Sequence, residues 1–283
     1  MKYCLDYSRR SRVLNIIDEI NVFIDGTDMI TIIDFIQKHT AQRINLKLKD
    51  KEQIFEYKLI EKFAQLSKEY KEFNLAIVLP KYEEEYITTL KRCGSEVRFF
   101  FDQVVRDWET FNQYIELGVS DIYVVEQLGF EIKNVAKVAH DRGVRIRTFP
   151  NIAQRMWDAT PVMKSFFIRP EDVKYYEGYI DVLELYSGEH LNMDVLYDIY
   201  TNMKVWNGQL NEIILGLTSP IDSRFIMPRF AQRRLNCERK CLKGGNCNMC
   251  ETIEKLSKNL KLAGFTITAD GKERDINGKR SDS

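Results

Sequence analysis

The chain has 283 residues, 44% hydrophobic and 30% charged, with Lys+Arg and Asp+Glu equal at 42 each. That is enough for one large domain or two small ones, and the balanced charge excludes a whole-chain polycation of the kind that coats nucleic acid or anionic lipid. No apolar run approaches the roughly 18 residues of a spanning helix, and "MKYCLDYSRR" lacks the apolar stretch of a secretory signal, so a cytoplasmic chain with no membrane partner is expected.

Along the chain, "KRCGSEVRFFFD", "IELGVSDIYVVE" and "AHDRGVRIRTFPN" share one grammar: a helix tail, a glycine, then a β-branched or aromatic run. The glycines are Gly94, Gly118 and Gly143, spaced by 24 and then 25 residues, about one strand–helix unit. Glycine just past a helix accepts the left-handed conformation that ends it. Trp108, Phe111 and Ile115 repeat at helical spacing, as do Ile132, Val135, Ala136 and Ala139. Counting outward gives eight strands, beginning near Asn21, Arg43, Asn74, Glu96, Asp121, Val144, Phe166 and Asp181.

Eight strands alternating with helices predict an α/β fold of the (β/α)8 TIM-barrel type over residues 1–215. The alternative is an open doubly wound sheet. Its dinucleotide-binding version lacks support, because "DGTDMI" after the first predicted strand is not a G-x-G-x-x-G loop. A helix follows with Leu191, Val195, Leu196 and Ile199 on one side. Residues 216–265 read as a cysteine-rich metal-binding segment with a terminal helix, and 266–283 as a polar tail expected to be disordered.

Four of the six cysteines fall within "CERKCLKGGNCNMC", as Cys237, Cys241, Cys247 and Cys250. Four thiolates complete a tetrahedral zinc or an iron–sulfur site, and the rest of the chain is too cysteine-poor for a disulfide framework. The spacing alone does not choose between a 4Fe-4S cluster and zinc. Around this knot stand Arg224, Arg229, Arg233, Arg234, Arg239, Lys240 and Lys243, opposed only by Glu238. This flank could hold RNA or DNA phosphates; the plainer reading is that these cations solvate the surface and balance four thiolates. A protein partner is the other candidate.

In a barrel of this type, chemistry sits at the C-terminal ends of the strands. Those ends give a mixed-charge ring that includes Lys47, Asp102, Glu126, Arg147, Arg169 and Glu184. Glu184 is the candidate substrate contact or acid/base, Arg169 an anion anchor and Glu126 a polar lining residue. In "FFIRPED", Pro170 suits the first helical position and Glu171 and Asp172 its first turn, which leaves Arg169 as the residue without a capping role. No G-x-S-x-G or H-E-x-x-H motif is present.

The stretches "ELGVSDIYVVEQLGFEIKNVAKVAHDRGVRIRTF" and "FFIRPEDVKYYEGYIDVLELYSGEHLNMDVLYDIY" resemble the collagenase-like peptidase family (peptidase U32), over roughly residues 96–203. The matching pieces are Arg169-Pro170-Glu171-Asp172, Asp181, Leu183-Glu184 and the helix ending at Tyr200. The resemblance implies a barrel-like fold, a four-cysteine iron–sulfur cluster and either peptidase activity or a hydroxylation-type modification of RNA bases or quinone precursors. The chain departs from that pattern at Thr148, Pro150 and Asn151, where the family has a glutamate and a glycine turn, and in the grouping of all four cysteines after the last strand.

Overall fold

The computed structural model describes residues 1–6, 13–24, 29–39, 42–48, 53–70, 74–94, 97–125, 128, 131–153, 165–186, 192–217, 221–226, 230–237, 249–250, 252–253, 265–267 and 273–275. Two compact units emerge. The first comprises 1–128, 134–148 and 178–185; the second comprises 129–133, 149–177 and 186–283.

The first unit is built on a nine-stranded parallel sheet. Its strands are β1 (Lys2–Asp6), β2 (Glu19–Ile24), β3 (Arg43–Leu48), β4 (Asn74–Leu79), β5 (Phe99–Phe101), β6 (Val104–Val105), β7 (Asp121–Val124), β8 (Arg145–Thr148) and β9 (Val182–Leu185). Their order is β5-β4-β3-β2-β1-β9-β8-β7-β6. The two ends of that list are neighbours in the chain, separated only by Asp102 and Gln103. The sheet therefore curls into a nearly closed barrel whose fifth stave is kinked into β5 and β6. The Ser120 N–H, just ahead of β7, donates to the Phe99 carbonyl at 2.8 Å and joins β5 to the start of β7. This is an α/β barrel of the TIM type.

Helices α1 (Met29–Lys38), α2 (Gln53–Glu69), α3 (Glu84–Cys93) and α4 (Trp108–Leu117) alternate with the strands, and the helix Ile132–His140 precedes β8. Each strand turns alternate side chains to opposite faces. One set is apolar and buried, including Ile20, Ile44, Leu46, Ile122, Ile146 and Leu183. It meets the helical faces that carry Phe63, Tyr86, Leu90 and Phe111, and each such side chain stabilises the fold by about 1.5–3 kcal/mol. Gly118 caps α4 at φ 77° and ψ 34°, in the left-handed helical conformation, and Gly143 has φ 70° ahead of β8, whereas Gly94 caps α3 at φ 116° and ψ 154°, a positive φ outside that conformation.

Two expectations about individual strands are corrected. The first strand of the barrel is Lys2–Asp6, paired between β2 and β9, not the run starting near Asn21. Among the described residues the run Phe166–Ile168 belongs to no strand, with only an isolated bridge position at Phe166. Its three side chains are buried, while the Ile168 N–H donates to Pro150 O and its carbonyl accepts from the Tyr200 hydroxyl. Apolarity there reflects burial of an irregular segment. With β5 and β6 counted as one kinked stave, the barrel has eight staves, β1 standing in place of the run at Phe166.

The second unit contains a 3-10 turn Pro170–Tyr175 and helices Met193–Thr201 and Phe230–Arg234. The helix Met193–Thr201 buries Leu196, Ile199 and Tyr200, but turns Val195 outward. In the tail expected to be disordered, Phe265–Ile267 and Glu273–Asp275 pair antiparallel. An Asp-Gly pair lies between them in sequence, a hairpin signal that the polar composition overshadowed.

Candidate active site

On β2, β3, β7 and β8 the inward set of strand side chains is largely polar and charged, where branched aliphatics fill most such barrels. Toward the N-terminal ends of the strands, Asp121 on β7 pairs with Arg43 on β3 (2.6 Å), Arg145 on β8 (2.6 Å) and Arg147 (3.2 Å). Glu19 on β2 accepts from Arg145 (2.6 Å) and Arg147 (2.7 Å). Arg147 is fully buried and lies over the rings of Phe100 (4.9 Å) and Tyr123 (5.3 Å). Its second amino group reaches Glu184 on β9 at 3.2 Å. Burial alone would push the Asp121 carboxyl up, but Arg43, Arg147 and Arg145 outweigh it and hold it well below the usual range.

Above this layer sits an uncharged one. The Asn45 amide donates to Asn21 Oδ1 at 2.9 Å, the Cys4 thiol donates to the same oxygen at 3.2 Å, and Asn21 Nδ2 donates to Asp6 Oδ1 at 3.0 Å.

The uppermost layer lies at the C-terminal ends of β1, β3, β5 and β9. Lys47 Nζ stands 3.1 Å from Glu184, 3.1 Å from Asp102 and 4.0 Å from Asp6. Its ammonium lies over Phe23 (5.4 Å) and Tyr123 (5.9 Å). Lys47 and Glu184 are enclosed, whereas 32% of the Asp6 side chain and 34% of the Asp102 side chain are open to solvent. These two carboxylates and the exposed Phe23 ring face outward.

The electrostatics separate the roles of the carboxylates. Burial opposes ionisation of Glu184, but Lys47, Arg147 and a hydrogen bond from Tyr123 overcome it, and its carboxyl falls to about 2. Glu184 is thus a permanent anion that fixes Lys47. Burial and the neighbouring Glu184 charge push Asp6 up to about 6, against the opposing pull of Lys47 and Asn21. Burial also raises Asp102. The carboxyl group suited to exchange a proton near neutrality is therefore Asp6.

Of the residues singled out by sequence, Lys47, Asp102, Arg147 and Glu184 are brought together here. Glu126 lies outside the described residues. Arg169 belongs to the second unit, where its guanidinium is held by Asp172 (2.6 and 3.0 Å) and Glu171 (3.0 Å). Those three carboxylate contacts engage three of its five N–H donors.

In the basic flank, Arg233 is exposed. Arg234 is buried among Phe166, Phe167 and Phe230 and donates to the carbonyls of Ser165 and Phe167. Arg224 is held by Asp222 at 2.6 Å. Arg229, Arg239, Lys240 and Lys243 lie outside the described residues.

Cys237 follows the anchored helix directly, its N–H donating to Arg234 O at 3.0 Å, and both Cys237 and Cys250 are half-buried. Cys241 and Cys247 lie outside the described residues. Among the described residues, no group of three or more His, Cys, Asp or Glu side chains is placed to hold a metal ion. Four thiols within fourteen residues, with both outer ones half-buried, remain a fitting donor set for zinc or an iron–sulfur cluster.

The sequence reading missed Asp6, Glu19, Asn21, Arg43, Asn45, Asp121 and Tyr123. Their signal is a strict alternation, as in "RINLKL" and "RIRT". Helices cover the outside of a parallel barrel, so polar residues that alternate with Ile, Leu and Val must point into it. No helix among the described residues is long and apolar enough to cross a membrane. Compared with known proteins, the chain matches no family model and no curated protein.

Proposed function

We propose that the protein is an enzyme whose reaction centre is the C-terminal mouth of the barrel. The reaction is an oxygen- or electron-transfer modification, of the hydroxylation type, of RNA or another substrate. A 4Fe-4S cluster, or else zinc, is held by Cys237, Cys241, Cys247 and Cys250. The reaction class rests on the resemblance of residues 96–203 to the collagenase-like peptidase family. The observation that carries an enzymatic reading is the arrangement of Asp6 and Asp102, each a third exposed, around the enclosed Lys47. A barrel that served only as a scaffold gains nothing from open carboxylates over a buried cation at the end where such folds do chemistry.

Proteolysis has less support. The Cys4 thiol, in the layer below the mouth, is fully buried, and burial pushes it well above the usual thiol value, the reverse of an activated nucleophile.

Mass spectrometry of RNA nucleosides and small metabolites, from cells with and without the protein, tests the proposal. A species that carries one more oxygen atom only when the protein is present is expected. The second reading is a zinc-stabilised nucleic-acid- or protein-binding scaffold, motivated by the exposed Arg233 and the cations around it in sequence. No oxygen-bearing difference, together with tight and salt-sensitive RNA binding, would favour the scaffold.

A further inference from the structure

The mouth holds two open carboxylates, and they are built differently. Asp102 is held by one ion pair to Lys47. Asp6 stands at the end of a relay of fully buried amides, in which Asn45 donates to Asn21 and Asn21 donates to Asp6. The Cys4 thiol and the Asn45 amide both donate to Asn21 Oδ1, so the Asn21 NH2 group must turn toward Asp6. This fixes Asp6 Oδ1 inward. Asp6 Oδ2 has no partner among the described residues, and 32% of the side chain is open to solvent. A carboxylate held by an orienting donor, itself held by a further group, is the construction of a general base.

We propose that Asp6 is the catalytic residue that takes and returns the proton at this mouth, with Asn21 and Asn45 as positioning residues. The inference rests on the reading of the mouth as a reaction centre. Asp6 Oδ2 accepts the proton of a substrate X–H bond, the electron pair stays on the substrate, and the proton returns to product or water. The charged and polar groups facing Asp6 are Asn21 on β2, Lys47 on β3, Asp102 after β5 and Glu184 on β9. Two outward carboxylates favour a substrate whose reacting end is neutral or cationic over one bearing a phosphate there.

Carboxyl 13C NMR of the full chain, titrated with pH, tests the proposal. A resonance with a midpoint near 6 that disappears in Asp6→Asn is expected. In Asn21→Leu that midpoint should rise by about one pH unit, because the ionised form loses its donor; an unchanged midpoint would overturn the positioning role. The Asp6→Asn comparison decides by itself where Asn21→Leu does not fold. A midpoint near 6 that survives in Asp6→Asn and belongs to Asp102 overturns the assignment and leaves the mouth as reaction centre. Midpoints of about 4 for both carboxyls overturn the proposal and remove acid–base capacity from the mouth as well.

Discussion

Glu184 receives Lys47, Arg147 and Tyr123 on a single enclosed carboxylate. Removing its charge leaves two buried cations short of an anion, whereas the isosteric amide keeps the volume. Glu184→Gln is therefore expected to destabilise the barrel by about 3–5 kcal/mol in denaturant unfolding; a loss within about 0.5 kcal/mol, the size of a surface effect, would mean the network contributes little. The carboxyl shifts also predict a pH signature. Asp6 holds its proton more tightly when folded, so its contribution to stability is present at low pH and is lost as pH rises through about 6. Glu184 acts in the opposite sense: its contribution is present above its ordinary value of 4.5 and is lost as pH falls toward about 2. Wild type should lose stability relative to Asp6→Asn between pH 3.8 and about 6, and the difference should stop growing above that window. A difference independent of pH would show that Asp6 titrates normally.

Strand β1 shows how local sequence can hide an element. "KYCLD" is short, bears a charge at each end and follows no helix cap, so neither an apolar run nor a preceding glycine marks it. Its place is set by tertiary pairing, with Cys4 opposite Glu19 on one side and Glu184 on the other. β4 and β7 were legible because "NLAIVLP" and "DIYVVE" combine β-branched runs with clear boundaries. The chemistry of the mouth was half legible. Strand ends pointed to Lys47, Asp102 and Glu184, but Asp6 could not be placed there without β1. Deleting residues 1–6 would open the sheet between β2 and β9 and remove Asp6 as well. The shortened chain should lose its cooperative thermal transition by circular dichroism, and a melting curve like that of the full chain would contradict the pairing.

At the scale of the whole molecule, the charged barrel and the cysteine segment belong to different compact units, so their stabilities should separate. Cys241→Ser is expected to abolish metal binding and to raise hydrogen exchange around Cys237 and Cys250, while the barrel unfolds as before, because a metal bound by thiolates stabilises chiefly the segment it staples. Loss of the barrel transition in the same variant would show that the metal supports the entire fold. The central claim is that the reaction occurs at the mouth of the barrel and turns on Asp6. Its most direct test is the formation of the oxygen-bearing product in cells that carry Asp6→Asn in place of wild type, at equal protein level and metal content. Product formation should fall by about 10²–10⁴-fold, the usual loss on removing a general base. Product formed at the wild-type rate would contradict the account.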